Sequence, residues 1–263
     1  MSTLSYAVAD SATMLRRQVR HMLRYASMTL TLIGMPIVFL LLFVYVFGGT
    51  LGAGLGGPDG GRAEYLEFVM PGVLLMAVAA GAIGTAIAVN MDMTEGIIAR
   101  FRTMAIFRPS VLTGHVLGSM VQTMLSLVVV TAVAMLIGFR SDAGPVEWAA
   151  TAGLLAMFTF ALTWLCVACG LMAKNAEAAS NLPQPLVFLP FLGSGFVPTD
   201  SMPTGLRWFA EYQPFTPVID TVRGLLLGTA IGNNGVIALA WCVAITLVGY
   251  LWSRRLYNRD PIR

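Results

Sequence analysis

Charge is what this sequence has least of. Only 11% of its 263 residues are Asp, Glu, Lys or Arg, against 57% hydrophobic, where a soluble domain carries roughly a quarter charged residues. So few charges cannot cover a water-facing surface of this size, and a mean hydropathy of +0.78 agrees. Lysine is nearly missing. Lys174 is the single one and follows Met172-Ala173, so the chain holds no G-x-x-x-x-G-K-[ST] phosphate loop. The two histidines, His21 and His115, come without an H-E-x-x-H pattern or a triad partner, which weakens a hydrolase reading. Cys166, Cys169 and Cys242 all fall in apolar stretches, where neither a disulfide framework nor a zinc knuckle is expected. Their default role is packing, with redox or metal chemistry at the C-x-x-C pair Cys166 and Cys169 as the alternative. An ion-coupled carrier needs an ionisable group in mid-membrane. Here the 13 Asp and Glu residues are read in loops or at span ends, with Glu147, Glu177 and Asp220 as boundary residues.

What the chain does have is a series of long apolar runs. Each suits the ~20 helical residues that cross a hydrocarbon core. They are continuous, without the alternation of a barrel strand, so the expected fold is an all-α polytopic membrane protein. About six transmembrane helices are expected, near 28–47, 68–90, 114–139, 148–173, 178–197 and 236–252, within one transmembrane domain covering 1–263. The fifth run carries Pro183, Pro185, Pro190, Gly193 and Gly195 and should be kinked or broken near both ends. In the second, Ala77, Gly81 and Thr85, and beside them Ala80, Gly84 and Ala88, form small-residue stripes that let helices approach closely.

Between the runs lie amphipathic elements. Residues 13–26 put Leu15, Val19, Met22 and Leu23 on one arc and Arg16, Arg17, Arg20 and Arg24 on another, an N-terminal interfacial helix. With no apolar core before residue 25, no cleavable signal is expected. The Gly-rich stretch 48–61 reads as a flexible, turn-rich loop. Residues 91–110 mix Asp92, Glu95, Arg100, Arg102 and Arg108 with Ile97, Ile98, Phe101, Met104 and Ile106. Such a loop either docks a soluble partner or lies on anionic headgroups. Two short helices, near 202–212 and 217–228, are expected in a re-entrant or interfacial region at 198–235, with Trp208 and Tyr212 at headgroup level.

Twelve of the sixteen basic residues fall on one side of this topology, which places both termini in the cytoplasm and the short helices outside. The net charge of +3 is thereby spent on orientation and gives no sign of nucleic-acid binding.

Three stretches resemble the permeases of type-2 ABC exporters, in particular the daunorubicin-resistance-like group. They are the run from Asp92-Met93-Thr94-Glu95-Gly96 to Arg100-Phe101-Arg102-Thr103-Met104, then Gly195-Phe196-Val197-Pro198 with Met202-Pro203, and Gln213-Pro214-Phe215-Thr216-Pro217 with Arg223-Gly224-Leu225. The resemblance implies two permease chains working with two copies of a separate ABC ATPase, whose ATP and Mg are the cofactors; none is expected in this chain. It implies that Glu95, Gly96, Arg100, Phe101, Arg102 and Arg108 contact the ATPase, and that Arg16, Arg17, Arg20 and Arg24 belong to a connecting helix. It also implies a pathway at the permease interface, lined by spans two and five, where Phe68, Met76, Phe188, Phe191 and Phe196 are candidates, ordinary packing being their alternative. The partners are then the ATPase, a second permease chain, membrane lipid and a small hydrophobic substrate. A polysaccharide tunnel would favour Trp, Tyr and polar groups, whereas Leu, Val, Ala, Met and Phe dominate here, so lipophilic drug or lipid export is expected. A polysaccharide or glycolipid exporter, or a scaffold that transports nothing, stays open.

Overall fold

The computed structural model describes residues 26–56, 61–95 and 109–258. The four arginines of the N-terminal amphipathic segment and residues 96–108 of the polar loop lie outside that range. Every regular element among the described residues is helical. Helix α1 (Ala26–Leu42) passes through a π turn at Phe43–Phe47 into α2 (Gly48–Gly56). There follow α3 (Arg62–Thr94), α4 (Pro109–Leu136), α5 (Pro145–Met172), α6 (Ala176–Asn181), α7 (Pro185–Phe188), α8 (Thr204–Tyr212), α9 (Phe215–Leu227) and α10 (Asn234–Asn258). A 3-10 turn at Thr199–Ser201 precedes α8.

Among the described residues, five helical stretches are long and apolar enough to cross a membrane: Leu30–Gly54, Arg62–Thr94, Leu112–Leu136, Pro145–Met172 and Asn234–Asn258. The remaining apolar run, the fifth in chain order, makes its passage without a continuous helix. It leaves α5 beside Asn90 of α3, and by Phe196 it has reached Tyr65, one helix length away. Its breaks go further than the ends. Pro183 and Pro185 separate α6 from α7, and residues 189–196 are turns, because Pro190 has no N–H and Gly193 and Gly195 favour no helix. The stretch at 48–61, expected as a loop, also differs: residues 48–56 continue the first span as helix α2. Burial of Gly52 against the Gly61 backbone stands in for the side-chain packing that its glycines lack. Helix α1 runs on through Pro36, and the irregular turn of the first span falls at 43–47.

Helix α3 is the axis of the bundle. Its apolar window is 78% buried, against 17% for those of the first and last spans. Small residues make this possible. A methyl at Gly170 of α5 would meet the Ala86 carbonyl of α3, and one at Gly249 of α10 would lie 2.6 Å from the Leu165 nitrogen. Gly72 of α3 packs against the Gly195 backbone, and Gly81 against Thr123 of α4. With little hydrophobic force between helices in lipid, such close contact supplies the packing. Phe158 of α5 meets Phe215 of α9 edge to face at 5.0 Å. Gly228, at φ 69°, closes α9 in the left-handed conformation that glycine adopts without strain.

Among the described residues, the buried apolar side chains form two clusters. The larger runs from Leu40 and Tyr65 through α3 to Phe215, Ile219 and Cys242. The smaller holds Val89, Leu112, Val116, Trp164, Val167 and Tyr257, so that α3, α4, α5 and α10 meet where the chain leaves α3 for residues 96–108. We call that the neck end, and the opposite end, with α8 and α9, the far end.

Candidate transport and coupling site

At the neck end the last turns of α3 bind two neighbours. Asn90 donates through Nδ2 to the carbonyls of Gly170 (3.1 Å) and Ala173 (2.8 Å), which close α5. Carbonyls at a helix C-terminus have no partner within the helix, and here a buried amide supplies one. Two residues on, the Asp92 carboxylate lies 3.0 Å from His115 Nε2 on α4. Both are buried, at 9% and 6% exposure. The Thr94 hydroxyl donates to the Asn90 and Met91 carbonyls, and the Glu95 N–H to Met91, which secures the last turn. Of the expected ATPase-contacting residues, Glu95 is exposed at the neck. Gly96, Arg100, Phe101, Arg102 and Arg108 lie outside the described residues, as do Arg16, Arg17, Arg20 and Arg24.

The pathway candidates separate into groups. Phe191 and Phe196 come together, stacked at 4.3 Å with planes 7° apart. They meet Phe43 of the π turn at 6.1 and 4.7 Å, and Phe39 of α1 lies 6.1 Å from Phe191. The aromatic cluster therefore joins the broken crossing to the first span, and the reading of the sequence named neither Phe39 nor Phe43. Their spacing of four residues, continued by Phe47, was the available signal. Phe188 points outward at 55% exposure, while Met76 is buried at 3%. Phe68 is covered by the Arg223 guanidinium, 4.2 Å above its ring.

Arg223 organises the far end. It donates to Asp220 Oδ1 (2.8 Å), to the Phe68 carbonyl (3.1 Å) and to the Ser194 carbonyl (2.6 Å). The Ser194 hydroxyl donates to Asp220 at 2.6 Å, and Asn234 reaches the other carboxylate oxygen at 3.4 Å. Gln213 donates to the Leu189 carbonyl at 3.1 Å, and the Tyr65 hydroxyl faces the Phe196 carbonyl at 3.4 Å. Irregular backbone at membrane depth persists only where its polar groups find partners. Gln213, Arg223 and Tyr65 supply them to residues 189–196. Asp220, read as a boundary carboxylate, is thus part of a partly buried knot, and Asp92, read as a loop residue, is buried. By contrast, Arg207 of α8 pairs in the open with Asp200 and Glu211, both at 2.7 Å. The Glu211 hydrogen bond, then the field of Asp200, raises the pKa of its guanidinium.

Residues 11–227 match the ABC-2 type transporter family. The chain belongs to that family. Among its relatives, a daunorubicin resistance ABC transporter permease protein of Streptomyces coeruleorubidus is 29% identical over 255 residues, covering 96% of this chain and 87% of the relative. A Mycobacterium tuberculosis protein named "probable doxorubicin resistance ABC transporter permease protein" is 23% identical over 232 residues, covering 87% of this chain and 82% of its own length. This ABC-2 chain is a multi-pass membrane protein of exporter-permease type, a family that works with a separate ABC ATPase subunit.

Proposed function

We propose that the chain is the membrane half of an exporter for lipophilic drugs or lipids, driven by two copies of a separate ABC ATPase and completed by a second permease chain. The observation that carries this reading is the full-length likeness to drug-resistance permeases, joined to an apolar bundle whose broken crossing is stacked on the first span by Phe39, Phe43, Phe191 and Phe196. Flat, adaptable apolar side chains suit an amphipathic polycyclic cargo. The apolar windows of the first and last spans, only 17% buried in the single chain, offer surface to lipid and to a second permease. The excess of basic residues at the neck end and in the flanking segments supports a reading with that end in the cytoplasm, the membrane being a bacterial inner membrane like that of the organisms holding the relatives.

ATP and Mg belong to the ATPase. ATP binding closes the ATPase pair, which draws the 91–110 loops together, with Glu95, Arg100, Arg102 and Arg108 in contact and Phe101 as the apolar anchor. The bundle tilts and cargo leaves on the far side. Coexpression with a candidate ABC ATPase, followed by purification and doxorubicin efflux from reconstituted vesicles, tests this. A stoichiometric ATPase and ATP-dependent efflux are expected. A chain that purifies alone and moves no cargo with ATP would be a scaffold, and efflux unchanged in both Glu95→Ala and Arg102→Ala would remove the loop from coupling.

A further inference from the structure

The proposed function leaves open how a push on a polar loop becomes movement of a bundle. Three features meet at the neck. Asp92 and His115 join the two helices that flank the loop, one on the last turns of α3 and the other on the second turn of α4. Asn90 fastens the same end of α3 to the closing carbonyls of α5. Beneath them, Val89, Leu112, Val116, Trp164, Val167 and Tyr257 form an apolar cluster separate from the main core. Interior packing transmits strain because it yields little, so a compact cluster bound by buried polar contacts shifts as one body.

We propose that the Asp92–His115 pair is a positioning brace that makes the neck a rigid block, so that force entering through the 96–108 loop moves α3, α4 and α5 together instead of splaying α3 from α4. The pair forms in either charge state of His115, since Nε2–H donates to the carboxylate from a neutral or a protonated ring. Asn90 extends the block to α5, and through the short link 173–175 to α6, the start of the broken crossing. That crossing carries Phe191 and Phe196, so motion at the neck reaches the aromatic cluster through one continuous segment of chain.

The inference rests on the exporter reading, and the experiment separates the two. The complex with its ATPase is reconstituted in vesicles, and doxorubicin moved per ATP hydrolysed is measured for wild type, His115→Leu, His115→Gln and the exchanged pair Asp92→His with His115→Asp. Absence of ATP-driven efflux in wild type overturns the exporter reading and this inference with it. With wild type active, His115→Leu should keep the bound ATPase and its basal turnover but lose about tenfold in cargo per ATP, and the exchanged pair should recover at least half of the loss. His115→Gln, which keeps a donor without the ring, should lose about threefold with an unchanged melting temperature. A merely structural pair would lower the melting temperature without changing cargo per ATP. Wild-type coupling in assembled His115→Leu, or no recovery in an assembled exchanged pair, overturns the brace. If His115→Leu does not assemble, His115→Gln decides alone, and coupling equal to wild type overturns it.

Discussion

The two ends of α3 are both held by buried polar side chains, yet they solve different problems. At the neck, Asn90 and the Asp92–His115 pair join helix termini that are otherwise regular. At the far end, Arg223, Gln213 and Tyr65 serve a stretch with no helix of its own, and Arg223 alone holds a carboxylate and two carbonyls from two other segments. Loss of a neck contact should leave a helix with a weakened attachment. Loss of Arg223 leaves the Ser194 carbonyl of the broken segment without its donor and Asp220 without its cation. A regular helix stabilises its neighbours, while a broken one depends on them for the partners of its backbone.

The sharpest way to break that contrast is Arg223→Met. Leaving a partly buried carboxylate without its cation and the Ser194 carbonyl without its donor should cost about 2–3 kcal/mol, seen as loss of monodisperse protein after detergent extraction. Adding Asp220→Asn should restore part of the yield, because the uncompensated charge is then gone. Gly170→Leu comes next. Its side chain would push α5 from the Ala86 carbonyl of α3, a steric conflict expected to cost about 1–3 kcal/mol and to lower the melting temperature. Asn90→Ala should cost about 1–2 kcal/mol by leaving the Gly170 and Ala173 carbonyls without its amide, and the loss should show as faster hydrogen exchange at the end of α5. Phe191→Ala, which removes the 4.3 Å stack on Phe196, should cost roughly 1 kcal/mol beyond its buried area and alter doxorubicin efflux more than ATPase binding. Arg207→Ala is the smallest: its partners are solvent-exposed, so the melting temperature in physiological salt should not move.

How far the molecule was legible from its residues follows the same division. The continuous helices could be read because crossing hydrocarbon leaves the backbone one economical solution over ~20 apolar residues. The two short helices fell near their expected positions, Thr204–Tyr212 and Phe215–Leu227, since prolines and a closing glycine punctuate them. The 48–61 region was harder: glycine composition signals a turn in water, but a helix already under way continues where lipid or close packing replaces water. The pathway candidates divided for a similar reason. Phe188, Phe191 and Phe196 look alike in sequence, and only the turns after Phe188 aim the last two at Phe43.

The solvent, the helical class, the number of apolar runs and the lack of any phosphate loop all follow from composition and local spacing. The tertiary structure alone decided that Asp92 finds His115, 23 residues away, and that Arg223 finds the Phe68 carbonyl, 155 residues away. A polar residue beside an apolar run is written the same way whether it faces water or a partner. Only the packing of distant helices sets which of the two it meets.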